Sequence, residues 1–488
     1  MKHVTVGLVG RALLLKPAVF GELFHGVCTV KKMVTEQPSR DNNWSRRTYD
    51  DPHILYWYDN DPIDNERVFC TYAGFYGRIC KVLSERGLEV RVERRVDCGL
   101  GAPDLESLRG SHWRSGQKAV MAKLLAHDGG VIVCPTGFGK TYLMKQLAKA
   151  YPKAEIVITV PSKDIAKDIY NDLREGLYDQ VGMVGGGMSK LARVTVAVTQ
   201  SLHRCSKSAS LVLTDECHSV LTEKYVEKFN RFYRAKMFGF TATDQGRSDG
   251  SDGLAEAIFG PQLADVTYQE AVQGGNVVQL EVRMYRVTKG PEVSGINQKA
   301  YADRISLWLN PDRNRLIADT AGELKRELGP EHQILIMVDK TEHAFALGQL
   351  LPDFAIVTGN VDAATIDKMK RRGSYVEGQK VCTSKDRDRY RKEFESHELK
   401  YAIATGIWSK GVDFRDLAAL IRADGMASKI HSGQIPGRLS RLGRSTSKER
   451  GIMVDFIDDF SSNLKGRSMS RIRVYKKNGW DVSYHDGC

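Results

Sequence analysis

Short apolar runs separated by polar turns dominate the chain beyond about residue 117, and their spacing predicts alternating strands and helices. Residues 131–134, 156–160, 194–199, 211–214 and 237–241 are each rich in β-branched or aromatic side chains. Runs of that length and composition suit strands buried on both faces. After the first run, Leu143, Met144, Leu147 and Ala148 fall at helical spacing. The alternation predicts an α/β sheet, mostly parallel, with helices on both faces. Residues 334–338, 355–357, 401–404, 418–421 and 452–456 predict a second sheet of the same kind, with residues 276–295 carrying the chain between them.

The first hundred residues have a different texture. Residues 1–11 are apolar but broken by Gly7, Gly10 and Arg11, which predicts a first strand rather than a signal peptide. Strands are expected at 27–34 and 54–58, a polar loop at 38–51, a helix at 75–83, and an alternating strand at 90–96 with Arg91, Glu93 and Arg95 on one face. Together they predict a small α+β accessory domain over 1–98. The glycine-rich stretch from Gly99 to Pro103 is the expected linker to a first lobe (99–285), followed by a second (286–488). Removal of residues 1–98 is expected to leave the first lobe's phosphate site in place.

Three motifs in fixed order carry the chemistry. Pro135, Thr136, Gly137, Phe138, Gly139, Lys140 and Thr141 join the first strand to a helix. A glycine loop there aims backbone N–H groups at an anion. Lys140 adds a charge for the β- and γ-phosphates, and the Thr141 hydroxyl can ligate Mg²⁺. The strict pattern begins with glycine where this chain has Cys134. Asp215, Glu216, Cys217 and His218 end a later strand run; Asp215 suits Mg²⁺, and Glu216 suits activation of a water molecule as general base. Near the C-terminus, Gln434, Gly437, Arg438 and Arg441 place two arginines three apart on one helical face. A basic surface helix accounts for that spacing as well as an arginine finger does. In this order the motifs describe a motor ATPase with ATP and Mg²⁺ as cofactors. The second sheet has no phosphate loop of its own, so it is expected to complete the ATP site from across a cleft.

The chain has 72 Lys and Arg against 60 Asp and Glu, a formal net charge of +12. That excess favours a polyanionic partner without choosing among DNA, RNA and an anionic membrane. Its 9 cysteines include no CxxC pair, which argues against a zinc ribbon or a disulfide scaffold and fits a reducing cytosol. The longest apolar runs fall short of the roughly eighteen residues a membrane-spanning helix needs. Mixed charges over 385–392 fit a solvated helix as well as a nucleic-acid contact. The more one-sided run 465–477, with Arg467, Arg471, Arg473 and Lys476, is the better candidate for phosphate contact.

On these motifs the chain resembles the superfamily 2 helicases of the DExH type from about residue 100 onward. Gln117 resembles the adenine-reading glutamine. Pro161, Ser162 and Lys163, with Thr199 and Gln200, resemble strand-contacting motifs of the first lobe. Thr241, Ala242 and Thr243 resemble the motif coupling hydrolysis to movement, in which His218 also takes part. Thr405, Gly411 and Asp413 lie in a segment similar to motif V, which implies nucleic-acid contact for Thr405 and nucleotide contact for the other two. The resemblance implies two RecA-like lobes in tandem and makes Gln434, Arg438 and Arg441 catalytic candidates.

Residues 69–79 and 468–475 resemble corresponding segments of the phage UvsW-type recombination helicases. That likeness implies branch migration or fork reversal on branched DNA, in the cytoplasm (the host's, for a phage-encoded chain). An RNA helicase, the motor of a restriction system, and an ATP-controlled nucleic-acid clamp or repressor remain open alternatives.

Overall fold

Every residue of Ile156–Val160, Val194–Val198 and Leu211–Asp215 is buried, a pattern suited to a sheet covered on both faces. A computed structural model describes residues 3–9, 12–36, 47–61, 63–94, 99–242, 253–293, 298–408, 416–426, 437, 439–443 and 448–487. The three strands lie in an eight-stranded sheet ordered Met188–Lys190, Val181–Gly185, Val194–Val198, Ile156–Val160, Leu211–Asp215, Lys236–Thr241, Gly129–Val133, Gln262–Asp265. All neighbours are parallel except the antiparallel edge strand Met188–Lys190. The chain divides into two compact units, the first comprising Met1–Pro135 and Gly139–Val266, the second Thr136–Phe138 and Thr267–Cys488.

The second unit holds a seven-stranded parallel sheet ordered Ala355–Val357, Tyr401–Ala404, Gln333–Met337, Leu417–Arg422, Arg450–Asp458, Gln279–Val287, Asp481–His485. Residues 276–295 are therefore not simply a connection, because a nine-residue strand starts at Gln279. Leu280, Val282, Met284 and Val287 are its buried positions. The charged residues between them disguised it: Arg283 is itself neutralised by Glu281 at 2.6 Å and Glu327 at 2.6 Å.

The C-terminal basic run also differs from expectation. It forms the helix Ser462–Lys477, but Arg471 is fully buried and donates to both oxygens of Asp455, at 2.7 and 2.9 Å. Tyr475 OH donates to Asp455 at 2.6 Å, and Arg422 donates to Tyr475 OH at 2.8 Å and to Asp424. Arg467 is paired with Asp303 at 2.9 Å. The positive charges at 467 and 471 thus serve the fold, because a buried guanidinium needs a carboxylate partner. On the helix Ser384–Glu395, Arg389 and Arg391 likewise pair with Asp386, Glu393 and Glu395 of the same helix.

The N-terminal strands form a five-stranded sheet ordered Tyr56–Asn60, Arg67–Tyr72, Ala12–Lys16, His3–Val9, Glu89–Arg94, backed by the helix Tyr76–Glu85. Part of the expected loop is a strand instead: Arg47–Ile54 pairs antiparallel with Thr29–Glu36. Residues 37–46 of that loop, and Arg95, lie outside the described residues.

This sheet is not an independent body. Phe75, Ile79 and Leu83 share one apolar cluster with Leu254, Ala257, Ile258 and Phe259 of the helix Gly253–Phe259. Gly74 lies so close to that helix that a Cβ would stand 1.7 Å from the Glu256 carbonyl oxygen, so only glycine fits. Arg78 Nε donates to Glu256 Oε1 at 2.8 Å. Deleting residues 1–98 would uncover this apolar surface.

Replacing Arg471 with Ala leaves Asp455 buried without its main counter-charge. Breaking a buried pair this way costs about 3–5 kcal/mol. Denaturant titration of the Arg471→Ala protein is expected to show that loss, and a change under about 1 kcal/mol would contradict it.

Candidate phosphate and metal site

The strand Gly129–Val133 ends in the loop that carries Gly137 and Gly139, with φ of 94° and 105°. A side chain is strained in that left-handed region, so the two glycines let the loop curl toward its own helix. Gly139 caps the helix Lys140–Ala150, whose N-terminus carries the positive end of its dipole. A Cβ on Gly139 would stand 2.5 Å from Gln117 Nε2. Gln117 is thereby placed against the loop, with its Oε1 accepting the Arg114 amide at 2.9 Å.

Two strands away, Leu211–Asp215 delivers Asp215 at its C-terminal end. Glu216 follows in the left-handed conformation, φ 50° and ψ 48°. For a residue with a side chain that costs roughly 1–2 kcal/mol, and it turns the chain sharply beside the phosphate loop. Lys140 Nζ lies 3.2 Å from Glu216 Oε1 and 4.0 Å from Asp215 Oδ1. Burial pulls the Lys140 pKa down, but the two carboxylates outweigh it and hold the ammonium above the ordinary lysine range.

His218 Nδ1 lies 3.0 Å from Thr241 Oγ1 and 3.3 Å from Glu216 Oε2. Thr241 ends the strand Lys236–Thr241, and its carbonyl accepts the amide of Cys134 at 3.0 Å, one residue before the loop. Lys140, Asp215, Glu216, His218 and Thr241 thus form one cluster; Thr243 lies outside the described residues.

The donors suit a phosphate–magnesium group. A lysine, a helix N-terminus and a glycine cradle present positive charge and amides, while Asp215 and Thr141 offer the hard oxygens that Mg²⁺ prefers.

The strand-contact candidates divide by exposure. Lys163 and Gln200 are exposed, whereas Pro161 and Ser162 are half-buried. Ser162 Oγ accepts the Ile165 amide at 3.4 Å and caps the helix Lys163–Leu177. Thr199 is buried, and its hydroxyl donates to the Val160 carbonyl at 2.9 Å. Thr405, in the second unit, is buried too. Any contact through Thr199 or Thr405 therefore falls to the backbone around them.

In the second unit, Gln434, Arg438, Gly411 and Asp413 lie outside the described residues. Arg441 is described, forming an isolated antiparallel bridge with Val277. The segment before it is tied down by three contacts. Ser440 Oγ donates to the Gly437 carbonyl at 2.7 Å, Val278 N donates to the Ser440 carbonyl at 2.8 Å, and Lys448 Nζ reaches the Leu439 carbonyl. Burial and the nearby Arg441 charge push the Lys448 pKa down to about 7, against the pull of Asp416. A lone lysine carries no motif, so the sequence alone did not single it out.

The family described as Type III restriction enzyme, res subunit, matches residues 111–245. The chain is 24% identical over 408 residues to the DNA 3'-5' translocase XPB2 of Sulfurisphaera tokodaii, covering 79% of this chain and 90% of that protein. It is also 24% identical over 388 residues to the ATP-dependent DNA helicase uvsW of Enterobacteria phage T4, covering 75% and 71%. Among solved structures, S. cerevisiae Dbp5 bound to RNA and ADP BeF3 is similar in fold. Its TM-score is 0.52 and its identity 16%, over 80% of this chain and 94% of that one.

Two thiols flank the charged cluster, Cys134 and Cys217, both buried. Burial pushes the Cys134 pKa up to about 12 and that of Cys217 above its ordinary value. Since the thiolate is the reactive form, neither should be alkylated by iodoacetamide at pH 8 in the folded protein. Mass spectrometry is expected to find both labelled only after denaturation, and fast labelling of either in the native state would contradict the burial.

Proposed function

We propose that this chain, which is similar to superfamily 2 helicases, is an ATP-dependent DNA helicase and translocase. Its work is the remodelling of branched DNA, by branch migration, fork reversal and unwinding. Two RecA-like α/β lobes in tandem form the motor, with residues 1–98 as the accessory DNA-binding part. The carrying observation is Lys140 held between Asp215 and Glu216 behind a glycine loop. Support for DNA as substrate comes from relatives named as a DNA translocase and a DNA helicase. No described helix is long and apolar enough to cross a membrane, and the proposed place of action is the cytoplasm.

In this reading Lys140 and the loop amides from Thr136 to Thr141 bind the β- and γ-phosphates of ATP, and Gln117 recognises adenine. Thr141 and Asp215 hold Mg²⁺, which when bound neutralises phosphate charge. Glu216 accepts the proton of the attacking water, and His218 with Thr241 and Thr243 passes the state of the site to strand movement. Gln434, Arg438 and Arg441 are the further catalytic residues of this reading, with Gly411 and Asp413 in nucleotide contact. Pro161, Ser162, Lys163, Thr199, Gln200 and Thr405 contact the nucleic-acid strand.

The deciding experiment compares ATPase rates on single-stranded DNA, linear duplex, a four-way junction and RNA. Strongest stimulation by the junction is expected; equal or greater stimulation by RNA would refute the reading. Glu216→Gln should retain ATP binding while losing hydrolysis, because the amide cannot take a proton. Lys140→Ala should abolish hydrolysis in a folded protein, and near wild-type turnover would remove the site assignment. An arginine finger contributes roughly 10³-fold or more to turnover. Arg441→Ala is therefore expected to lower single-turnover hydrolysis by about that factor with a smaller change in ATP affinity. Full DNA-stimulated chemistry in that variant would transfer the role to Arg438.

A further inference from the structure

A positive strip of the first unit begins at the turn Thr199–Arg204 and continues along the helix Glu223–Asn230. Lys228 Nζ donates to the Gln200 carbonyl and Arg231 Nη2 to the His203 carbonyl, each at 2.9 Å. Helix and turn therefore present one edge. Lys224, Lys228 and Arg231 follow one another at intervals of four and three and share a face. Arg204 and Lys207 are exposed beside them; residues 200–208 contain no acidic side chain of their own, with Glu155 accepting from Ser206 and Ser208 at 2.9 and 2.6 Å and Glu227 exposed on the helix.

The strip continues into the N-terminal sheet. Asn230 Nδ2 donates to Tyr72 OH at 3.4 Å, and Trp57 stands edge-on to Tyr72 with ring centres 5.8 Å apart. Trp57 is 40% exposed on the edge strand Tyr56–Asn60. Its neighbours Tyr56 and Tyr58 point to the other face, against His25 and Phe69. Trp57 therefore adds nothing to that packing. Asp59, two residues on, shares the face of Trp57 and is the one acidic neighbour on this strand, while Asp61 and Asp64 gather round Lys16 beyond its far end.

We propose that this strip is a second DNA-binding surface, which grips one duplex arm of a branched DNA and meets the branch point with Trp57. It rests on the helicase reading above. Cations at 204, 224, 228 and 231 suit a phosphate backbone, which they hold without regard to sequence. An exposed indole stacks on unpaired bases. At a branch point the stack is interrupted, so a base face lies open to such contact even where every base is paired; the interior of a linear duplex offers none, so Trp57 is the discriminating residue and the cations are the grip.

The test measures the affinity of full-length protein for a four-way junction, a linear duplex and single-stranded DNA by fluorescence anisotropy across a salt series. The variants are Trp57→Ala, Trp57→Phe and the double substitution Arg204→Ala with Lys224→Ala, all at exposed side chains. Circular dichroism checks folding, and ATPase stimulated by single-stranded DNA is followed alongside. Trp57→Ala is expected to weaken junction binding about tenfold, within the range of one base–aromatic stack, and to change linear-duplex binding less than about twofold. Trp57→Phe should keep most of the junction affinity. The double variant should reduce the slope of log affinity against log salt by about 1.8, roughly 0.9 for each lost phosphate contact. Stimulation by single-stranded DNA should persist in every variant. If wild type is stimulated by DNA but junction affinity and salt slope are unchanged in the variants, the surface is refuted and the helicase reading stands. A wild-type protein with no DNA-stimulated ATPase overturns both.

Discussion

The structure turns on one buried ammonium. Lys140 keeps only 10% of its side chain exposed and faces Asp215 and Glu216, which keep 11% and 19%. A charge so enclosed is stable only with partners, and its partners come from a strand 75 residues further along, Asp215 ending that strand and Glu216 following it. The strands Gly129–Val133, Lys236–Thr241 and Leu211–Asp215 must therefore be neighbours in register, as they are. One ammonium against two carboxylates leaves an excess of negative charge, an environment suited to a divalent cation.

Much of this was legible in the sequence because it is local. Gly137, Gly139, Lys140 and Thr141 carry their meaning within five residues, and Asp215 with Glu216 within two. The buried strands were legible for the same reason, since Ile156–Val160 is apolar at nearly every position. What escaped depends on distant partners. Arg471 looked like a surface charge because nothing nearby in the chain announces Asp455, 16 residues earlier, as its counter-ion. Strand Gln279–Val287 was hidden by Glu281 and Arg283, whose charges are matched by each other and by Glu327. Gly74 gave no sign of the helix 182 residues later that excludes any larger side chain.

The second unit solves the problem of buried charge differently. Around Asp455 the cations Arg471 and Arg422 are joined through Tyr475 OH. Both cations raise the demand for a carboxylate, and Asp455 is held below its ordinary pKa despite full burial. The network binds the last helix to two central strands, Leu417–Arg422 and Arg450–Asp458. Arg422 also donates to the Met426 carbonyl at 3.2 Å, so the same group braces the chain where it leaves the sheet. Arg313, equally buried, repeats the device with Asp458 at 2.8 Å.

The packing of Phe75, Ile79 and Leu83 on the helix Gly253–Phe259 bears on biosynthesis. Ribosomes add about 5–20 residues per second. Arg78 and Glu256 are 178 residues apart, so the N-terminal sheet emerges roughly 10–35 s before the helix that covers it. For that interval the nascent chain displays an apolar patch with its final occupant still unmade, a natural binding site for a holdase chaperone. A pause in translation between these two points would prolong the exposure.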